Sequence, residues 1–176
     1  MRRRKRAGSP ADLRTDLRTP ETDLMESRPP RPSSENARRT MLANRRKDTS
    51  PELAVRRRIH AAGLRYRVDF PADAADRRRR ADIVFTRVKV VVFIDGCFWH
   101  GCPQHFIAPK SNADYWGPKI ARNIERDRTS TARLSDAGWR VLRFWEHEDP
   151  EDVATRIIEA VRPRNRILPP DVSHRR

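Results

Sequence analysis

The sequence contains few cysteines, few glycines and no long apolar run. Its 176 residues include 2 cysteines and 6 glycines, 36% of them are charged, and the mean hydropathy is −0.89. The longest apolar run, residues 90–94, is far shorter than the roughly 18 residues that a membrane span needs. No apolar segment follows the basic N-terminus, so a secretory signal is not expected. Two cysteines cannot build a disulfide framework, which favours a reducing cytoplasmic setting with thiols available to a metal ion.

Acidic residues are also in deficit. The chain has 39 Lys and Arg against 24 Asp and Glu, a net charge of +15. Such an excess predicts a polyanionic partner, most often nucleic acid, although a basic charge can also serve solubility alone. Residues 1–40 hold 11 basic and 6 acidic residues, and residues 163–176 hold 4 and 1, without apolar periodicity. Both segments are predicted to be disordered basic tails, which either contact phosphate backbones or remain solvated without a partner.

The segment between the tails, residues 41–162, has the length of one domain and alternates helix and strand patterns. Helices are predicted at residues 50–63, 116–137 and 151–161, and strands at residues 66–70, 81–85, 88–94 and 140–145. Thr86 and Arg87 are expected to join the second and third strands as a hairpin. The order α-β-β-β-α-β-α predicts an α/β fold, a mixed β-sheet flanked by helices.

The densest run of chemically useful side chains follows the longest apolar strand. Residues 93–105 read Phe-Ile-Asp-Gly-Cys-Phe-Trp-His-Gly-Cys-Pro-Gln-His. The adjacent rings of Phe98 and Trp99 are suited to contact with something flat and apolar, such as the face of a base. The alternative is that both are core residues at the end of a strand.

A pair of carboxylates is predicted beside this run. If the second and third strands form a hairpin, Asp82 lies close to Asp95. Two carboxylates there could hold a hard divalent cation, with phosphate oxygens completing its shell. Structural aspartates at strand ends are the alternative. His100 adds a group that can take or give a proton near neutral pH.

A second metal site is predicted from a C-x2-H pair, Cys102 and His105. That spacing suits two zinc ligands, and Asp127 on the long helix and His147 after the last strand are candidates for the other two. A chance approach of a histidine to a cysteine is the alternative. Glu52, near the start of the first helix, has on these grounds only the role of an acid favoured by the helix dipole.

With these residues in view, the chain resembles the very-short-patch-repair (T:G mismatch) DNA endonucleases. The resemblance runs from about Thr40 to Val161 and rests on the strings Gly96-Cys97-Phe98-Trp99-His100, Asn123-Ile124-Glu125-Arg126-Asp127-Arg128 and Gly138-Trp139-Arg140-Val141-Leu142. It implies a restriction-endonuclease-like fold with a structural zinc site. It also implies nicking of one DNA strand at a T:G mismatch left by deamination of 5-methylcytosine, with Mg²⁺ as the catalytic ion.

The resemblance also implies roles for individual residues. Asp82 would be the catalytic aspartate that binds magnesium, and the backbone carbonyl of Ile94 would help to hold the ion. His100 would be the catalytic histidine, and Glu52 would assist the active site. The residues implied to contact DNA are the aromatic wedge Phe98, Trp99 and Trp116, the methionine Met41, and Lys119 and Asn123 on the long helix.

Two features depart from the family pattern. Asp95 stands where the best-known member has a second catalytic histidine, and a carboxylate there is expected to join Asp82 in holding magnesium. The family's zinc site has Cys102, Asp127 and His147 at its matching positions here, with His105 one residue off. The predicted zinc ligands are therefore Cys102, His105, Asp127 and His147, and Cys97 is left as a small buried thiol.

Three functions remain open on the sequence alone. The first is T:G mismatch nicking, and the second is a restriction-type or structure-specific endonuclease of the same fold, because specificity depends on base contacts and DNA shape. The third is a DNA-binding module without catalysis, which the presence of both Asp82 and His100 disfavours. We expect a cytoplasmic, nucleoid-associated monomer with double-stranded DNA as its substrate. A DNA cytosine methyltransferase and mismatch-repair proteins are further partners implied by the resemblance.

Overall fold

The computed structural model describes residues 30–32, 34–43 and 45–162. Most of the predicted N-terminal tail, residues 1–29, and the whole predicted C-terminal tail, residues 163–176, therefore lie outside the described residues. The elements in chain order are α1 (Glu35–Ala43), α2 (Ser50–Ala61), β1 (Arg67–Phe70), β2 (Ala81–Phe85), β3 (Val90–Asp95), α3 (Ala113–Asp136), β4 (Arg140–Trp145) and α4 (Pro150–Val161). Within the described ranges, no helix combines the length and apolar character that crossing a membrane requires.

The four strands form one mixed sheet in the order β1-β2-β3-β4. The strands β1, β2 and β3 pair antiparallel with one another in that order, and β4 runs parallel to β3 after the crossover through α3. The predicted α/β architecture with a mixed sheet flanked by helices is confirmed. Because β3 and β4 are parallel, their carboxyl ends meet at one edge, where Asp95 is paired with Trp145.

The hairpin between β2 and β3 is present, but its turn is longer than predicted. Phe85 pairs with Val90, so residues 86–89 form the turn rather than Thr86 and Arg87 alone. A two-residue hairpin turn of the favoured types needs a positive φ at one or both central positions, which a β-branched threonine disfavours. In the longer turn only Lys89 adopts a positive φ, of 50°.

Both faces of the sheet are covered. On one face, buried side chains of α2 and α4 pack against the sheet; they are Val55, Ile59, Val153, Ala154 and Ile157. On the other face, Leu134 of α3 packs with the small cluster that contains Val84 and Val91. Ile83 belongs to the first cluster and Val84 to the second, as the alternation of side chains along a strand requires.

The helix α1 differs from the prediction of a disordered segment up to residue 40. Its sequence consists largely of residues with good helix propensity, and an ion pair joins Arg38 to Glu35 at 3.4 Å, one turn apart. Apolar periodicity does not indicate this helix, because its described side chains are mostly exposed, with Leu42 74% exposed. The long helix α3 also begins earlier than predicted, at Ala113 instead of Trp116.

Candidate active site and metal centre

Among the acidic side chains that line one cleft of about 1430 Å³ are three that the sequence predicted for the active site. Glu52 comes from the first turn of α2, Asp82 from β2 and Asp95 from the end of β3. Glu52 is only 4% exposed and accepts hydrogen bonds from the Asp48 amide at 3.0 Å and the Thr49 hydroxyl at 2.9 Å. The structure therefore places Glu52 at the predicted active site, whereas its sequence position alone indicated only a helix-dipole role.

Asp82 is fixed by the strand beside it. Its Oδ2 accepts a hydrogen bond from the backbone N–H of Ile94 at 2.7 Å. Burial and the nearby charges of Glu52 and Asp95 raise the pKa of Asp82 to about 7, against the opposing effects of the Ile94 hydrogen bond and Arg143. A buried carboxylate with a raised pKa, close to other carboxylates, is a donor that fits a hard divalent cation.

Asp95 makes a bidentate ion pair that the sequence did not predict. Arg143, on β4, donates from Nε to Oδ2 at 2.7 Å and from Nη2 to Oδ1 at 2.6 Å. The Arg143 side chain also lies 3.3 Å from Asp127 Oδ2. Both oxygens that Asp95 would offer to magnesium thus accept hydrogen bonds from Arg143. This arrangement differs from the predicted role, because a guanidinium already balances the charge of Asp95.

Asp127 lies beside His100 rather than beside the cysteines. The His100 Nδ1 atom is hydrogen-bonded to Asp127 Oδ2, and Asp95 Oδ1 is 3.7 Å from the same nitrogen. Burial acts to raise the pKa of Asp127, but the hydrogen bond to His100 and the charge of Arg143 outweigh it, so the pKa is lowered. An ionised carboxylate hydrogen-bonded to Nδ1 orients the imidazole and leaves Nε2 as the nitrogen that can accept or donate a proton.

A group of four possible metal ligands lies at the carboxyl ends of β3 and β4. Its members, whose donor atoms lie within 4.8 Å of one another, are Cys97, Cys102, His105 and His147. The Cys97 Sγ is 3.1 Å from His147 Nδ1, and the Cys102 Sγ is 3.9 Å from Nδ1 of both His105 and His147. In a tetrahedral zinc site a sulfur and a nitrogen ligand are about 3.6 Å apart, so the four donors fit such an ion.

This group differs from the predicted zinc ligand set at one member. Cys97 belongs to the group of four, whereas Asp127 is part of the His100 pair. Burial, together with the neighbouring Cys102 and Glu146, raises the pKa of the Cys97 thiol to about 11. A bound dication would reverse this shift, because it favours the thiolate. A parallel pairing of β3 with β4 is the signal that could have identified Cys97, because it brings the residues just after β3 close to those just after β4, among them His147.

The aromatic residues of the predicted wedge form one cluster next to the cleft. The ring centroids of Phe98 and Trp99 are 5.2 Å apart, and Trp116 lies 5.6 Å and 5.7 Å from them. All three rings are half-buried, which leaves part of each face for another partner. Their contacts are edge-to-face, the arrangement that aromatic pairs favour.

Two polar residues of α3 support this cluster. Lys119 donates from Nζ to the Tyr115 hydroxyl at 2.9 Å and lies 5.8 Å from the Trp116 ring centroid. Asn123 donates from Nδ2 to the carbonyl oxygen of Trp99 at 3.0 Å. The structure thus brings together all the predicted DNA-contacting residues of the loop and of α3. Met41, the remaining predicted DNA-contacting residue, is half-buried and lies on α1, a different element from the loop and α3.

A cleft that combines buried carboxylates with an oriented histidine, beside a cluster of aromatic rings, is typical of enzymes that hydrolyse nucleic acid. Residues 33–105 match the family model described as DNA mismatch endonuclease Vsr. The type II nicking enzyme V.NaeI of Lentzea aerocolonigenes is 49% identical over 133 residues, which cover 75% of this chain and 80% of the relative.

Two further relatives extend the comparison. The type II nicking enzyme V.NmeDIP of Neisseria meningitidis serogroup C is 39% identical and covers 73% of this chain and 87% of its own length. The DNA mismatch endonuclease Vsr of Escherichia coli K12 is 36% identical and covers 61% of this chain and 67% of its own length. The chain belongs to the Vsr family of DNA mismatch endonucleases, and it is a DNA endonuclease. The family resemblance seen in the sequence is confirmed.

Proposed function

We propose that the protein nicks one strand of duplex DNA at T:G mismatches that arise from deamination of 5-methylcytosine, in a reaction that depends on Mg²⁺. The observation that carries the proposal is the placement of Asp82 with Glu52, buried in one cleft with the His100–Asp127 pair and bordered by the aromatic cluster. The names of the relatives support strand nicking, because several are called nicking enzymes.

Magnesium would be held by Asp82 and, as the family resemblance implies, by the carbonyl of Ile94, with Glu52 adding negative charge. When bound there, a divalent cation polarises a phosphodiester and stabilises the charge that develops on it. The hydrolysis consumes one water molecule and breaks one P–O bond, so a proton must reach the departing oxygen. His100 is the group placed to move that proton through Nε2, and Asp127 keeps the imidazole oriented.

Asp95 has a different part in this proposal from the one predicted from the sequence. Its pairing with Arg143 favours a site with one divalent cation, because the carboxylate oxygens are already used. The pair also places a positive charge beside Asp127, which keeps that carboxylate ionised. We therefore assign Asp95 and Arg143 to the support of the His100–Asp127 pair.

A structural zinc ion would be held by Cys97, Cys102, His105 and His147. These ligands come from the loop after β3 and from the residues after β4. A tetrahedral ion there would fix the loop that carries two rings of the aromatic cluster, Phe98 and Trp99. The rings need a fixed position, because a wedge separates stacked base pairs only if it does not yield.

Mismatch selection would come from the aromatic cluster. A T:G pair is less stably stacked and paired than a matched C:G pair, so Phe98, Trp99 and Trp116 would enter the duplex at lower cost there. Lys119 and Asn123 would then lie near the mismatched bases, and Met41 would approach from the other groove. A DNA cytosine methyltransferase and mismatch-repair proteins would act on the same DNA sites as this protein. The location would be the cytoplasm, on the DNA of the nucleoid.

The test is a nicking assay on three labelled duplexes: a T:G mismatch in a methyltransferase-like context, the matched C:G duplex and a branched duplex. Magnesium is omitted and then restored, instead of being removed with EDTA, which would also strip zinc. Nicking of only the T-containing strand, and only with magnesium, is the expected result. Equal cutting of matched or branched DNA would instead assign a restriction-type or structure-specific activity, and binding without cutting would refute catalysis.

A further inference from the structure

The connection between β1 and β2 contains four consecutive arginines, residues 77–80, to which the proposed function gives no role. This connection is fixed to α3 by Arg133, whose Nη2 lies 2.9 Å from Asp73 Oδ2 and 3.2 Å from Asp76 Oδ2. Each aspartate also accepts a backbone N–H of the connection itself. The arginine run therefore has a defined position against α3.

Arg79 is the member of the run that is least exposed toward solvent, with 26% of its side chain accessible. It lines the same cleft as His100 and Asp82. Its Nε is 3.7 Å from Asp76 Oδ2, which is longer than a hydrogen bond. Burial lowers the pKa of Arg79, and the like charge of Arg126 lowers it further, against the opposing effect of two aspartates.

Arg126 approaches the cleft from α3, next in sequence to Asp127. It lines the cleft as well, and it makes no ion pair with any residue in the described part of the chain. Two other arginines of α3 do have acidic partners: Arg128 lies 3.4 Å from Glu125, and Arg133 bridges to the β1–β2 connection. Both guanidinium groups thus line the cleft, where the charge of Arg126 acts against that of Arg79 and an anion between them would relieve the repulsion.

We propose that Arg79 and Arg126 together bind one backbone phosphate of the nucleic acid in the cleft, a phosphate other than the one that is cleaved. Guanidinium groups bind phosphate oxygens through paired, charge-assisted hydrogen bonds. Because Arg126 adjoins the His100–Asp127 pair, a phosphate held there would set the position of the strand relative to His100. Such a contact fixes register without reading the sequence. The inference rests on the proposed function in taking DNA as the ligand of this cleft.

The test measures the salt dependence of DNA binding. The full chain carrying Asp82→Asn serves as the parent, so that binding is observed without cutting, and a labelled T:G duplex is titrated by fluorescence anisotropy between 50 and 200 mM salt. Arg79→Gln and Arg126→Gln are compared with Arg77→Gln and Arg128→Gln, which remove the same charge from residues that do not line the cleft.

One lost phosphate contact lowers the slope of log K against log salt by about 0.9. We expect Arg79→Gln and Arg126→Gln each to show that drop and to bind about tenfold more weakly at 50 mM salt. The penalty should shrink by about 3.5-fold at 200 mM salt, as that slope requires. The double variant should lose little more than either single variant, because both residues hold one phosphate. The two control variants should keep the slope of the parent.

Unchanged slopes for both cleft variants, equal losses in all four variants, or no duplex binding by the parent would each overturn the proposal. A double variant that loses two slope increments would show two separate contacts and overturn the shared site. Circular dichroism checks each fold, and if Arg79→Gln does not fold, the slope of the exposed Arg126→Gln decides. Nicking by the unmodified chain is scored separately. If the unmodified chain does not nick but the cleft variants have lower slopes, the proposed function alone is refuted. If the unmodified chain nicks but the cleft variants keep the slope of the parent, the phosphate site alone is refuted.

Discussion

Replacing Asp82 by asparagine is expected to stabilise the magnesium-free protein while abolishing nicking. The asparagine oxygen can still accept the Ile94 N–H bond that Asp82 accepts at 2.7 Å. What the change removes is a buried charge, close to the charges of Glu52 and Asp95. A residue retained at a cost in stability is typical of a site built to bind a cation.

The magnitude follows from the pKa of Asp82, which burial raises from 3.8 to about 7. A difference of about 3 pKa units corresponds to about 4 kcal/mol at 1.36 kcal/mol per unit, which is an upper limit because the site can admit water. We expect a gain of about 2 kcal/mol in the free energy of unfolding at pH 8.5. The folded-state pKa is the higher one, so wild-type stability is unaffected by this group below pH 3.8 and falls as the pH rises towards about 7.

The assay is urea unfolding of both proteins in magnesium-free buffer at pH 4, 5.5, 7 and 8.5. The gain from Asp82→Asn should be near zero at pH 4, should grow through pH 5.5 and 7, and should level off above pH 7. Glu159→Gln, which neutralises an exposed carboxylate on α4, serves as the control and should change little. An Asp82→Asn variant that is less stable than the wild type at pH 8.5, or a gain that does not vary with pH, would refute the reasoning.

Three further predictions concern the metal ligands and the packing. Cys97→Ser should reduce bound zinc, measured by mass spectrometry, and lower the melting temperature, whereas Asp127→Asn should keep zinc and lose nicking; the reverse pattern would restore the ligand set predicted from the sequence. Gly101→Ala should cost about 1–3 kcal/mol in urea unfolding, because Gly101 has φ +65° and a Cβ there would lie 2.8 Å from Ile124 Cδ1. Ile83→Ala, at a fully buried position, should cost about 2–5 kcal/mol.

Most of the fold could be predicted from periodicity and punctuation. The hairpin of β2 and β3 follows from two β-rich runs, and its register places Asp82 beside Ile94, as the site requires. The end of α2 follows from Gly63, which adopts φ +84°. The length of the turn at residues 86–89 could not be predicted, because strand patterns do not specify how many residues are needed to reverse the chain.

The parts of the site that the sequence missed depend on contacts between distant elements. Arg143 lies 48 residues after Asp95, and its pattern on β4 was that of an ordinary strand residue. The position of Asp127 along a helix does not tell which neighbour its side chain faces, and a buried thiol such as Cys97 is common without a metal. The parallel pairing of β3 with β4 brings Arg143 to Asp95 and the residues after both strands together, and no single segment of sequence contains that information.

The loop after β3 carries proposed zinc ligands, two aromatic rings and the proposed proton-transfer residue in immediate succession. Cys97 and Cys102 lie on either side of Phe98, Trp99 and His100 in the sequence. Two proposed zinc ligands, two rings of the aromatic cluster and the proposed proton-transfer residue therefore fall within six consecutive residues. An inserted or deleted residue there would displace all three at once. Deep mutational scanning should therefore find this loop intolerant of any change in length, unlike an ordinary surface loop. Insertions or deletions that alter DNA specificity would have to occur elsewhere on the chain.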